Sequence, residues 1–238
     1  MEYDFPFKYK TIFIEGIKSI FGETDMKKVI LIFILCVTFL LTACGKNPIA
    51  ERLKLAETGD YIRFGTYEGE AIEWLVLEKT DEKMLVISRY ALEDRPYHDT
   101  YEDITWEDCT LRKWLNDDFL NAAFTKEERA MIPTVTVPAD KNPEYDTDPG
   151  NATRDKVFLL SIAEAEKYFD SAAEMYCNYR PSKGGTICMW WLRSPGGWQD
   201  FAACVIPGFD FDFFELGHGV YNSDSAAVRP ALWIEVDT

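Results

Sequence analysis

Histidine is the scarcest ionisable residue in this chain, present only as His98 and His218, and the six cysteines include no C-x-x-C pair. Without closely spaced thiols, a zinc ribbon or finger is excluded. With two imidazoles, nucleophilic chemistry has few bases to draw on. Basic residues are also in deficit, 25 Lys and Arg against 41 Asp and Glu, for a formal charge of -16. A surface of that sign repels a phosphate backbone, which removes nucleic acid as a partner. No internal repeat is present, and the longest apolar run falls short of the roughly 20 residues a spanning helix needs.

The 238 residues are 47% apolar and 15% aromatic, and all seven tryptophans lie after residue 70. That suits one globular domain with a substantial core behind an N-terminal appendage. The appendage has its own grammar. Met26-Lys27-Lys28 is a basic start, Val29 to Leu40 is almost wholly apolar, and Leu41-Thr42-Ala43-Cys44-Gly45 places small residues before a cleavage point. This is a secretory signal whose end resembles a bacterial lipobox. Cys44 is then an acylated first residue of the mature chain, holding it at the outer face of the cytoplasmic membrane. Residues 1–25 read as an upstream extension, with translation starting at Met26. The expected organisation is thus 26–44 signal, 45–59 linker and 60–238 globular domain.

Within the domain, Tyr61-Ile62-Arg63-Phe64, Ile72 to Leu77 and Met84 to Ile87 are strand-like runs, the last two joined by Thr80 to Lys83 as a hairpin. Leu111, Trp114, Leu115 and Phe119 fall at helical spacing. Thr125-x-x-Glu128 and Ser161-x-x-Glu164 are capping boxes, the second opening a helix that runs to about Phe169 after the strand Val157 to Leu160. Pro138 to Asp155, rich in Pro, Asp and Asn, predicts an exposed loop. Strands at both ends with helices between give an α+β class with a mixed, mainly antiparallel sheet.

Trp190-Trp191-Leu192-Arg193-Ser194-Pro195-Gly196-Gly197 predicts a buried strand ended by a Pro-Gly reversal. Val228 to Val236 has the same apolar character. The pair is expected as two central strands of one sheet, with 196–227 looping out between them as a displayed segment.

These blocks carry a resemblance. Leu111-Arg112-Lys113-Trp114-Leu115-Asn116, Asp155 to Ser161, Trp191 to Gly196 and Val228 to Trp233 resemble the successive blocks of a bacterial domain family of unknown function found in secreted and lipoprotein-type surface proteins. More weakly, the tryptophan-rich strand and the Val-Arg-Pro strand are similar to C-type-lectin-like domains of the formylglycine-generating-enzyme type. That likeness implies a C-type-lectin-like fold whose long loops form a ligand face. It supplies no activity, and the metal-binding cysteine pair of its oxidase members is not matched by Cys188 and Cys204.

Candidate chemistry is sparse. Cys109, Cys177, Cys188 and Cys204 remain in the mature domain, and Cys177 and Cys188 flank a Pro-Ser-Lys-Gly-Gly turn. Outside the membrane they are disulfide candidates, a bridge stabilising by roughly 3 kcal/mol. Asp146 to Asn151 opens like a calcium loop, but Pro149 and the absent closing Glu break the pattern. Asp210 and Asp212 alternate with phenylalanines, for which a solvated strand edge is the plainer reading than a metal. Trp198, Asp210, Asp212, His218 and Tyr221 are the ligand-binding candidates, since flat rings beside carboxylates suit a polar ligand. Core packing accounts for Trp190, Trp191 and Trp233.

The sequence therefore describes a surface-anchored lipoprotein with a non-catalytic domain for an extracellular glycan or protein, with no cofactor and no metal. The alternatives are an extracytoplasmic hydrolase using a Cys204 and His218 pair, and a structural envelope protein.

Overall fold

A computed structural model describes residues 48–207, 214–215 and 220–236. Cys44 and the signal, with Asp210, Asp212 and His218, lie outside the described residues. Among those described, no helix is long and apolar enough to cross a membrane.

The unit begins with α1 (Pro48–Leu53), which buries Ala50 and Leu53. The segment expected as a linker thus contributes a helix to the folded body, because its short apolar stripe finds a partner. A meander follows: β1 (Tyr61–Tyr67), β2 (Glu70–Lys79) and β3 (Lys83–Ser88). Thr80 closes the β2–β3 turn, its N–H donating to Lys83 O at 2.8 Å and its hydroxyl accepting from Lys83 N at 3.1 Å. In β1, Gly65 sits at φ +75, a conformation only glycine adopts without strain, and a Cβ there would lie 2.6 Å from the Phe124 ring. The indole of Trp74, fully buried beside that ring, donates to Phe64 O at 2.6 Å.

After β4 (Asp94–Pro96) come α2 (Thr110–Trp114), a π-helical turn (Leu115–Phe119) and α3 (Leu120–Ala123). Leu111, Leu115, Phe119 and Leu120 face the core, while Trp114 is only half-buried and stacks under Arg95 at 4.0 Å. Cys109 caps this helix, its sulfur accepting from Arg112 N. The capping box of Thr125 and Glu128 opens α4 (Lys126–Ala130). β5 (Val135–Val137) pairs with β6 (Thr153–Asp155). The stretch expected as an exposed loop over 138–155 is irregular and largely open from 138 to 152, and only its last three residues pair as a strand. It buries Asn142, Thr153 and Asp155, because Asp155 accepts from Trp106 Nε1, Arg112 Nε and Thr153 Oγ1.

β7 (Val157–Phe158) leads to α5 (Ile162–Tyr168), started by the capping box of Ser161 and Glu164 and ending against Phe169, then to α6 (Ala172–Met175). β8 (Cys177–Asn178) and β9 (Ile187–Cys188) form a short ribbon around a 3-10 turn at Pro181–Lys183. The chain finishes with β10 (Trp190–Pro195), β11 (Phe201–Pro207), β12 (Phe214–Glu215), β13 (Val220–Tyr221), β14 (Ser225–Ala227) and β15 (Ala231–Glu235).

Two larger sheets result, one of order β1-β2-β3-β15-β7 and one of order β12-β11-β10-β14-β4 with β13 also on β11. The class is mixed α and β with mainly antiparallel sheets and few helices. The two strands expected side by side are not neighbours: β10 lies in the second sheet and β15 in the first. The physical reason is Val228-Arg229-Pro230. β14 runs parallel to β10 at Ala227 and Trp190, and the chain then crosses to the other sheet where Pro230, lacking an N–H, interrupts the ladder. Pro230 O still accepts from Ser88 N at 2.9 Å. Arg229 is buried at the crossing, its Nε donating to Ser88 O at 3.0 Å and its guanidinium lying 4.9 Å from the Trp190 ring and 5.2 Å from Phe169.

The strand β10 is buried along its whole length, and both its indoles are satisfied: Trp190 donates to Met175 O and Trp191 to Arg95 O. A bulge between Trp191 and Pro195 frees Arg193 N to donate to Leu160 O at 2.9 Å.

Candidate functional site

The excursion between β10 and β14 is not a simple loop. It contains β11, whose Ala202 to Val205 are buried against β10. On either side of it the structure brings Trp198 and Tyr221 to one surface through Phe201. Phe201 and Tyr221 face each other across the β11–β13 pair with ring centroids 4.3 Å apart. Trp198 meets Phe201 at 4.9 Å, and Tyr101, from the loop after β4, meets Tyr221 at 5.1 Å. Each pair meets edge to face, the favoured geometry for aromatic quadrupoles. Tyr101 is 60% exposed, Trp198 57% and Tyr221 43%, so a ridge of rings stays open to solvent that a core cluster would bury.

Backbone pairing holds the ridge in place. Phe201 N donates to Trp198 O, Asn222 N to Asp200 O, Ile104 N to Gln199 O and His98 N to Asn222 O. Gln199 is clamped to Asp148 twice, accepting from its N–H and donating to its carbonyl, each at 2.9 Å. Thr147 donates to Gly196 O and Asn142 to Pro195 O, so the segment that opens like a calcium loop works as a brace. Gly150 makes that brace possible: at φ +75 it lets the chain pass within 2.6 Å of Thr105 Oγ1, measured from the Cβ it lacks.

Polar groups flank the rings. The Asp200 carboxylate accepts from the Tyr101 hydroxyl and holds that phenol well above its ordinary range. Glu102 is kept below the usual carboxylate range by the Thr100 hydroxyl and then by His98, whose Nε2 lies 2.9 Å away. Asn222 is buried beside Tyr221, its amide donating to Glu102 O at 2.5 Å while its Oδ1 has no hydrogen-bond partner. Among the described residues no group of three His, Cys, Asp or Glu side chains is arranged to hold a metal ion.

The four cysteines among the described residues, Cys109, Cys177, Cys188 and Cys204, are buried. Cys204 sits in the middle of β11 opposite Trp191. Cys177 and Cys188 stand directly opposite across β8 and β9, with Cys188 Sγ donating to Cys177 O at 3.2 Å. Opposed residues in an antiparallel pair lie about 4.5–5.5 Å apart at Cα, within the span a disulfide bridges. The neighbouring Cys188 and, more weakly, Arg229 lower the Cys177 thiol, while Cys177 and then burial push Cys188 up. Burial pushes Cys109 up to about 12.

Of the residues singled out from sequence, Trp198 and Tyr221 are brought to one surface and Cys177 and Cys188 to one register position. Tyr101, Phe201 and Asp200 are the ridge members that sequence reasoning missed. Tyr101 lies in the acidic run Asp99 to Asp103, where a lone exposed ring was the available signal.

A family model described as "Domain of unknown function (DUF6273)" matches residues 81–236. No curated protein and no solved structure matches the chain.

Proposed function

Since the chain belongs to the DUF6273 family, whose description carries no activity, we propose from the geometry that it is a non-catalytic binding module that takes an extracellular glycan on the ridge of Tyr101, Tyr221, Phe201 and Trp198. The observation that carries this reading is the continuity of those rings, three of them open to solvent, beside Asp200. Aromatic faces stack on the apolar faces of sugar rings, and a carboxylate gives directed hydrogen bonds to hydroxyls. The burial of Cys204 favours recognition over a thiol hydrolase. In the same proposal Cys44 anchors the module to the outer face of the membrane, and the last third of the domain is organised as a C-type-lectin-like ligand face.

A glycan array probed with the intact chain tests the reading. Binding by the parent that Trp198→Ala and Tyr221→Ala each abolish, with unchanged thermal melting, supports it. An array with no binder, or binding that survives both substitutions, overturns it and favours a structural envelope role.

A further inference from the structure

A second site lies apart from the ridge and shares no residue with it. A cavity of about 570 Å³ opens between β1, β2 and the segment carrying α5, α6 and β8, walled by Tyr61, Tyr90, Tyr168, Phe169 and Tyr176, with Arg229 among its lining residues. Its volume falls within the range of about 300–1,000 Å³ typical of small-molecule sites. The chain as a whole is strongly acidic, yet both arginines of this cavity, Arg89 and Arg229, are cationic.

Those arginines are differently placed. Arg89 is half-exposed, lies over the Tyr61 and Tyr90 rings at 4.5 and 5.0 Å, and pairs with Glu73 at 2.9 Å, so its charge is already answered. Arg229 is 3% exposed, and its Nη1 is buried without a hydrogen-bond partner. Two aromatic rings flank its guanidinium, which offsets part of the desolvation and supplies no acceptor. Leaving a buried guanidinium donor unpaired is costly, and an arriving carboxylate would satisfy it by charge-assisted hydrogen bonds.

We infer that this cavity binds a small organic carboxylate, a monoanion whose ring lies against the tyrosines and whose carboxylate meets Arg229. One unanswered cation calls for one negative charge. A phosphate dianion would bring a second charge close to Glu174, which also lines the cavity. Three groups of the fold itself, first Cys177 and then Cys188 and Tyr61, favour the charged form of Arg229 from nearby. Cys177→Ser removes the first of these competitors and is expected to leave carboxylate affinity unchanged or raised.

The intact chain is titrated with phenylacetate, with its neutral isostere phenylacetamide and with inorganic phosphate, followed by calorimetry or ligand-observed NMR. Phenylacetate is expected to bind at least about tenfold more tightly than the amide, the ratio one charge-assisted hydrogen bond gives. Arg229→Gln should bring that ratio to about one. Tyr61→Ser, at an exposed wall position, should weaken acid and amide alike and leave the ratio intact; it keeps the proposal testable if Arg229→Gln does not fold. Equal binding of acid and amide, phosphate binding as tightly as phenylacetate, loss of affinity in Cys177→Ser, or no saturation by about 10 mM would each overturn it.

Discussion

Arg193 and Ser161 converge on one oxygen: Oε2 of Glu164 accepts both from Arg193 Nη1 and from the Ser161 N–H at the start of α5. The side chain that caps a helix is thereby the counter-ion of the arginine buried in β10. Arg193 spends its remaining donors on Leu159 O, Pro138 O and Asp140, so one side chain ties β10 to α5 and to the loop after β5.

Removing a carboxylate leaves part of a buried guanidinium unanswered, whereas removing Arg193 frees two carboxylates that keep access to solvent. Arg193→Met is expected to lower stability by about 1–3 kcal/mol, chiefly through the carbonyls it leaves without a donor. Glu164→Ala loses the cap as well as the charge. In a double-mutant cycle read by chemical denaturation the two should couple by more than about 1 kcal/mol; additive effects would show that the shared oxygen is energetically idle.

The brace under the ridge rests on Gly150. A Cβ there meets Thr105 at 2.6 Å in a backbone conformation that L residues avoid, whereas one at Gly69, φ +81, meets nothing. Gly69→Ala should therefore cost only backbone strain, about 1–2 kcal/mol. Gly150→Ala should cost more and should also quench or shift the Trp198 fluorescence, through the Asp148 and Gln199 clamp. Equal melting temperatures for the two variants would refute the steric argument.

The ribbon of β8 and β9 predicts a redox-dependent stability. In oxidising buffer a Cys177 to Cys188 bridge is expected, seen as a loss of two mass units that alkylation under denaturing conditions does not reverse. Reducing it should lower stability by roughly 3 kcal/mol. A chain that melts at one temperature with and without reductant would dispose of the bridge.

Alkaline pH should act through Cys109. Its thiol is pushed up to about 12 from an ordinary value near 9. Above pH 9 the unfolded chain sheds a proton that the folded one keeps, so the thiol's contribution is complete below 9 and is lost as pH climbs toward 12. The slope is about -1.4 kcal/mol per pH unit for this single proton. Cys109→Ala should flatten denaturation midpoints over that range; an unchanged slope would place the alkaline loss elsewhere.

Local chemistry was readable in the sequence where a short pattern had one meaning. Thr125 with Glu128 and Ser161 with Glu164 cap helices as their spacing requires, and the Thr80 to Lys83 turn closes a hairpin. The long-range arrangement was not readable. Val228 to Val236 looks like one apolar strand, and only tertiary context divides it at Pro230 between a crossing and β15. Thr153 to Asp155 reads as loop because its carboxylate is polar, yet Asp155 is buried by two donors that arrive from elsewhere in the chain, Trp106 and Arg112, and by its neighbour Thr153. At the ridge, Trp198 and Tyr221 were visible as rings in an irregular stretch. Tyr101 was invisible because it joins them across 120 residues through backbone links such as His98 N to Asn222 O.

The position of β15 has a consequence for how the molecule comes into being. It lies between β3 and β7, and its residues 231–235 are near the end of the chain. Until that segment is synthesised, β3 and β7 have no common neighbour and the apolar faces around Met84, Val86 and Phe158 have nothing to close against. The sheet therefore closes through pairings as distant in sequence as Ala231 with Ile87, and contacts of such long separation slow folding.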